Sequence, residues 1–349
     1  MKAILAAVVL VASSAAQADI TIETVPVGNA GNAADTRYNS ISVGAVYYSY
    51  NIGKYEVTAG QYTEFLNAVA KTDAYGLYNE NMDGSPYGCQ ITQHGTSGGY
   101  TYDFSGRPSG TTEADWANRP VNYVSWGDSA RFANWLSNGH PTGAQGTGST
   151  ENGVYALNSA TTNAQLMAVT APDAATRASW ANGTTSPWVL TSEDEWYKAA
   201  YYNPATSSYF DYPTGSDMVP GRDMAEATNP GNNANYYPGG SGSYPIDAGK
   251  YTTVAGEFEL SDSPYGTFDQ GGNVWEWNEA VIGEMRGRRG GSCIGDNYAH
   301  MYAAHRNRYF PADESDSIGF RVSEVPEPAT LSLLALGGLA VLRRRGRMA

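Results

Sequence analysis

The 349-residue chain carries 35 Asp and Glu against 21 Lys and Arg, a formal net charge of −14. That balance excludes nucleic acid and anionic membrane surfaces as partners and suits a soluble extracellular protein or one that binds hard cations. Forty glycines and 26 tyrosines beside few charged residues describe a loop-rich chain whose aromatic side chains fill space between irregular segments.

Lys2, the apolar run Ala3 to Val11 and the small residues Ala16-Gln17-Ala18 form a signal peptide over 1–18, which makes the chain an exported one. Short strands are expected at Val46–Tyr50 and Gly53–Val57. Thr58 and Gln61 then have capping-box spacing, with Tyr62, Phe65, Leu66 and Val69 on one helical face. A Gly/Ser/Thr-rich insertion at about 94–112 precedes a further strand at Val121–Val124. Ser125 and Asp128 open a second helix bearing Trp126, Ala130 and Ala133; it ends near Leu136, before Asn138-Gly139 and Pro141. A second polar insertion, at about 142–187, leads to a strand at Trp188–Leu190. Ser192 and Glu195 start a third helix, with Asn203-Pro204 as its stop. Two more strands are expected at Glu284–Arg289 and Ile318–Ser323, giving one α+β domain with long loops over 19–325.

Beyond Val325 come Pro326-Glu327-Pro328, an apolar run from Leu331 to Leu342 and a basic end with Arg343, Arg344, Arg345 and Arg347. The apolar run is short against the ~20 residues of a permanent membrane helix. The tail, 326–349, resembles the PEP-CTERM signal of Gram-negative exopolysaccharide producers. The resemblance implies an exosortase-type transpeptidase as partner, transient anchoring at the inner membrane, and a final place at the cell surface or outside the cell. Loss of Lys2 and the four tail arginines against a single acid, Glu327, leaves the mature chain more acidic still.

Six motifs follow one another between these ends. They are Ile52-Gly53-Lys54-Tyr55-Glu56-Val57-Thr58, then Arg119-Pro120-Val121-Asn122-Tyr123-Val124-Ser125-Trp126, then Leu190-Thr191-Ser192-Glu193-Asp194-Glu195-Trp196. Gly272-Asn273-Val274-Trp275-Glu276-Trp277, Arg289-Gly290-Gly291-Ser292 and Ile318-Gly319-Phe320-Arg321-Val322 complete the set. In this order they resemble the sulfatase-modifying-factor family, whose founding activity is the formylglycine-generating enzyme. The resemblance implies a C-type-lectin-like α+β fold of low regular secondary structure. It also implies calcium, which takes six to eight hard oxygens at flexible geometry. One set falls on Asp269, the Gly272 and Val274 carbonyls and Glu276. A second falls on Asn235, the Tyr236 carbonyl, Asp247 and the Gly249 carbonyl.

The copper-binding cysteine pair of the family's oxidase does not carry over. Counted from Ser292, its positions hold Gly295 and His300, and Cys293 stands two places too early. Copper is not expected. Cys89 and Cys293 form either one bridge or two separate thiols. His94, His140, His300 and His305 do not make the ligand pattern of the family's iron-dependent sulfoxide synthases. The acidic run Glu193-Asp194-Glu195 reads as helix-start stabilisation, and Asp313, Glu314 and Asp316 read as solvated. Trp275, Ser292, Cys293 and His300 make a candidate ligand cleft, with Trp116, Trp126, Trp180 and Tyr298 as aromatics able to stack on sugar rings. The leading expectation is a non-catalytic, calcium-stabilised domain that binds a glycan or a surface protein, with no catalytic residues. The alternative is a copper-dependent oxidase acting on a cysteine of a sulfatase-like substrate.

Overall fold

Thr58 opens helix Ala59–Val69 by accepting from the Gln61 N–H, while the Gln61 side chain accepts from the N–H of Thr58. Ser125 with Asp128 and Ser192 with Glu195 repeat this box at helices Trp126–Ser137 and Glu193–Tyr201. Each box satisfies two donors that a helix start leaves orphaned, and such a cap is worth about 1 kcal/mol. The computed structural model describes residues 20–325 apart from 39–41, 182, 184–185, 226–230 and 241–243. The signal peptide and the sorting motif Pro326-Glu327-Pro328 lie outside the described residues. Among the described residues no helix is long and apolar enough to cross a membrane.

Among the described residues the strands form two four-stranded sheets and two small two-stranded ones. In the first, Thr24–Val27, Tyr50–Gly53, Val322–Glu324 and Trp188–Leu190 lie side by side, each antiparallel to the next. In the second the order is Asn307–Tyr309, Met285–Arg289, Trp275–Ile282 and Ile318–Phe320, and only the last pair is parallel. The expected strand Ile318–Ser323 is therefore two strands, and the chain steps from one sheet to the other at Arg321. The strand before the first helix runs from Tyr50 to Gly53, between the two segments expected there, because Tyr50 and Ile52 are the alternate residues that turn inward. Val121–Val124 is no strand: Tyr123 takes a left-handed φ of 55°, which breaks the pleat while Val121 and Val124 stay buried.

The main core lies where the first two helices meet the second sheet. Phe65 packs edge-on to Phe132 at 5.4 Å and against Trp135 at 5.2 Å, and Phe132 meets Phe320 of the sheet at 5.4 Å. Each such aromatic pair adds about 1 kcal/mol beyond its burial. Gly319 is required here, since a Cβ would come within 2.5 Å of the Val121 carbonyl oxygen.

The acidic run does more than stabilise a helix start. Glu193 pairs with Arg289 at 2.8 Å and Arg306 at 2.6 Å, and Asp194 accepts from the Gly44 N–H at 2.7 Å. Glu195 is fully buried and accepts from Arg177 at 2.8 Å and Tyr48 at 2.8 Å. Through Arg177 the 142–187 insertion is anchored to the core, so it is not the loose surface loop its composition suggests. It contains helices Asn163–Met167 and Ala174–Trp180.

Glu314 is likewise not freely solvated. It accepts from the Asn79 amide, and burial together with the nearby Asp128 carboxylate pushes its pKa up to about 8. A carboxyl that holds its proton more tightly folded than unfolded contributes stability that is complete below its ordinary value of 4.5 and is lost as pH rises through about 8. Glu314→Gln should therefore flatten the pH dependence of thermal melting and raise stability at pH 9. Allowing for partial solvent access, the gain is about 2 kcal/mol. A variant whose melting falls between pH 5 and 9 as steeply as the wild type would contradict this.

Candidate functional site

The segment Asp269–Trp277 owes its shape to three left-handed residues, Asp269, Gly272 and Asn273, with φ of 58°, 83° and 57°. Gly272 has no substitute, because a Cβ would stand 2.2 Å from the Asn235 carbonyl oxygen. The Asn273 N–H donates to that same oxygen at 2.8 Å. The two expected calcium loops are thus neighbours, joined at Asn235 and Gly272.

Glu276 is fully buried, and its two oxygens are already engaged. Arg321 donates to one through Nε at 2.6 Å and to the other through its terminal nitrogen at 2.8 Å, and Trp196 Nε1 adds a bond of 2.6 Å. Arg321 also donates to the carbonyls of Gly53 at 2.8 Å and Phe268 at 2.9 Å. Two more acids face the same guanidinium. Asp269 accepts from the Gly256 N–H at 2.6 Å, and burial raises its pKa to about 6 despite that bond and Arg321. Glu56, only 1% exposed, has both carboxylate oxygens buried without a hydrogen-bond partner. Burial, then Asp269 and Glu276, push its pKa well above the ordinary range. Three carboxyl groups around one arginine leave a surplus of acid over base in a buried place. That surplus and the orphaned Glu56 oxygens fit a cation. Among the described residues no three His, Cys, Asp or Glu side chains are grouped to hold a metal. A calcium ion here would therefore draw on Asp269, Glu56 and main-chain carbonyls, with Glu276 turned to Arg321.

The second set fits less well. Asp247 accepts from Arg119 at 2.5 Å and lies 3.7 Å from Lys250, and Asp115 accepts from the same two cations at 2.9 and 2.7 Å. Asp247 and Asp115 are thus each paired with both bases, so neither carboxylate is left unpartnered for a divalent ion. Asn235 donates to the Tyr251 carbonyl at 2.8 Å, and its buried Oδ1 has no partner. Gly249 holds the turn, at φ 76°, before Lys250 bonds back to Asp247. Tyr236 is buried and donates its hydroxyl to Pro220.

The residues expected to line a ligand cleft do not form one. Trp275, Ser292 and Cys293 are 1%, 0% and 0% exposed: the strand that begins at Trp275 turns its ring inward, and the turn after Arg289 is held against it by the Cys293 N–H donating to the Asn273 carbonyl at 3.0 Å. Asp296 holds this group together, accepting from Trp275 Nε1 at 2.7 Å and Ser292 Oγ at 2.6 Å, with His300 Nδ1 at 3.4 Å. His300 and His305 meet edge to face at 4.6 Å, and burial beside His300 lowers the His305 pKa to about 4. Cys89 and Cys293 are separate, buried thiols. Burial raises the Cys89 pKa to about 11 and pushes that of Cys293 up as well. Gly295 lies exposed in the following turn. Of the aromatics expected to stack on sugars, Trp116 and Trp126 are core residues, Tyr298 is 45% exposed and Trp180 is half-buried. Sequence reading missed Glu56. Its only signal was an acid set between Tyr55 and Val57 in an otherwise inward-facing motif.

Residues 17–325 match the sulfatase-modifying factor enzyme 1-like domain, and residues 324–347 match the PEP-CTERM protein-sorting motif. Among solved structures, Treponema denticola variable protein 1 is similar, with 19% identity, a TM-score of 0.50, and coverage of 87% of this chain and 95% of that one. CarF aligns at 20% identity and TM-score 0.49, covering 87% and 98%. PvdO from Pseudomonas aeruginosa aligns at 17% identity and TM-score 0.44, covering 87% and 91%. At these identities only the first carries an argument, and it is one of fold. No curated protein sequence matches the chain. The fold is the C-type-lectin-like α+β domain of the formylglycine-generating-enzyme type. The sorting motif implies recognition by an exosortase at the C-terminus. The chain therefore belongs to the sulfatase-modifying-factor family, as an exported member that ends in a PEP-CTERM signal.

Proposed function

We propose that this protein is a non-catalytic, calcium-stabilised binding domain that acts at the cell surface or in the exopolysaccharide matrix. The observation that supports this reading is the fate of the oxidase thiols. Their positions hold Gly295 and His300, and the one nearby thiol, Cys293, is enclosed and kept protonated by burial. A copper(I) site needs exposed thiolates able to bind the metal in near-linear geometry, and a buried thiol of raised pKa offers none. Calcium is supported by the uncompensated carboxylates Glu56 and Asp269. It would supply the missing positive charge and tie the Asp269–Glu276 loop to the strand ending at Gly53. The sorting tail and the acidic surface favour a neutral glycan polymer as the ligand.

Calcium in excess should raise the melting temperature by about 5 °C over chelator, an effect lost in Asp269→Ala. The purified protein should also be retained by the exopolysaccharide of a producing cell. Aldehyde formation on a cysteine-containing peptide in the presence of copper(I) would overturn the non-catalytic reading. Identical melting in calcium and chelator would overturn the calcium assignment.

A further inference from the structure

The polar insertion that the sequence presents as a loose loop builds a large groove on the described surface, and its walls are fixed from beneath by buried charges. The groove has a volume of 1060 Å³ and lies between the 153–158 segment and the 168–180 segment, at the C-terminal end of helix Trp126–Ser137. Small-ligand sites occupy about 300–1,000 Å³, so the space suits several linked sugar rings.

Both walls are anchored to the core. On one side Arg131 and Glu151, nearly inaccessible, pair at 2.7 Å, and Glu151 accepts from the Ser159 N–H at 2.6 Å. Asn134, fully buried, donates to the Thr150 and Tyr155 carbonyls at 2.8 Å each and accepts from the Tyr155 N–H at 2.9 Å. Gly153 is required for this approach, because a Cβ would meet Asn134 Oδ1 at 2.6 Å. The rim so held is strained: Asn158 and Ser159 are consecutive non-glycine residues at φ 49° and 65°. Strain of this kind, over-determined by its surroundings, collects at binding sites. On the other side Arg177 passes from helix Ala174–Trp180 into the core, where Glu195 and Glu279 receive it. Isolated surface loops need no such buried anchors. A site that must be ready before its ligand arrives does, since a preformed wall loses little entropy on binding.

The lining defines the ligand. Trp180 packs in part against the Val46, Tyr48 and Tyr50 cluster and also lines the groove, which makes it a supported aromatic platform. Around it stand the hydroxyl of Thr176, the amide of Asn158 and the carboxylate of Asp173, all exposed. Among the described lining residues Asp173 is the only charged one, and none is Lys, Arg or His. An aromatic face with amides, hydroxyls and one carboxylate matches the C–H faces and hydroxyls of a sugar. The lack of a cation disfavours an anionic polymer. We propose that this groove binds a neutral oligosaccharide stacked on Trp180. The proposal rests on the surface-binding reading above and gives that reading a site and a ligand class.

Cellotetraose, maltotetraose and triacetylchitotriose, with an oligogalacturonate as the anionic counterpart, would be titrated into the purified protein by calorimetry and tryptophan fluorescence. At least one neutral sugar should bind, and Trp180→Ala should weaken it about tenfold or more. Thr176→Arg, on an exposed helix face, should block the groove to a similar extent without changing the melting temperature. Failure of every neutral sugar to bind, preference for the oligogalacturonate, or wild-type affinity in both variants would overturn the proposal. Retention on whole exopolysaccharide that survives both variants would reject this groove and leave the surface-binding reading intact. Absence of retention by the wild type would reject that reading itself.

Discussion

Arg321→Met should leave no cooperatively folded protein in chelator, and calcium should restore part of the folded population. Among the described residues Arg321 is the one cation facing Glu276, Glu56 and Asp269, and it serves three carbonyl acceptors as well. Breaking a buried ion pair by removing one partner costs about 3–5 kcal/mol. The abandoned carbonyls add about 1 kcal/mol each. A domain whose total stability is about 5–15 kcal/mol does not absorb that loss comfortably. On the proposal that calcium binds these carboxylates it would replace part of the lost positive charge, so a calcium titration followed by circular dichroism should show recovery. Arg321→Met combined with Glu276→Gln should be milder than the single change, since one uncompensated charge is gone. Wild-type melting in the single variant would remove Arg321 from its central position. Equal unfolding with and without calcium would mean that no calcium enters the cluster.

The second large effect is expected at Arg177. It lies between Glu195 and Glu279, and Glu279 also accepts from the Tyr155 hydroxyl, which in turn accepts from the Leu190 N–H at 2.9 Å. Arg177→Met leaves two buried carboxylates facing each other, a loss of about 3–5 kcal/mol or more. Burial already raises the Glu279 pKa with the arginine in place. Without it Glu279 holds its proton more tightly still when folded, so the variant's stability is greatest in acid and is lost as the pH rises. Melting from pH 4 to 8 should show that slope, and adding Glu195→Gln and Glu279→Gln should flatten it. A single variant that melts normally at pH 8 would show that the insertion is held by other means, and the groove would lose one of its anchored walls.

Local signals in the sequence were legible, and distant pairings were not. The three capping boxes need only residues three apart, and all three helices start where Thr58, Ser125 and Ser192 indicate. Val121–Val124 has the composition of a strand, but Asn122 donates to the Tyr87 and Asp316 carbonyls and Tyr123 turns left-handed, which no local pattern announces. Trp275 and Trp126 look like binding aromatics in a list of motifs, yet a Trp-rich motif in a chain this poor in other large apolar residues is chiefly core. Glu276 and Arg321, Arg177 and Glu279, and Asp247 and Arg119 are each separated by long stretches of chain. Charge neutralisation at the candidate site therefore had to be seen in three dimensions. Family resemblance supplied the loop Asp269–Glu276. Only the structure brings Glu56 beside it.

One placement bears on how the protein is exported. The strand Val322–Glu324 is an inner strand of the first sheet, clasped between Tyr50–Gly53 and Trp188–Leu190, and Val325 is wholly enclosed. The sorting motif begins at residue 324, within that strand. The last clasped residue is thus already part of the matched sorting sequence. Closure of the sheet must wait until the final residues have crossed the membrane, so a chain stalled short of its tail stays open. Once the sheet has closed, the sequence the exosortase reads leaves the domain from a fixed point, at Val325.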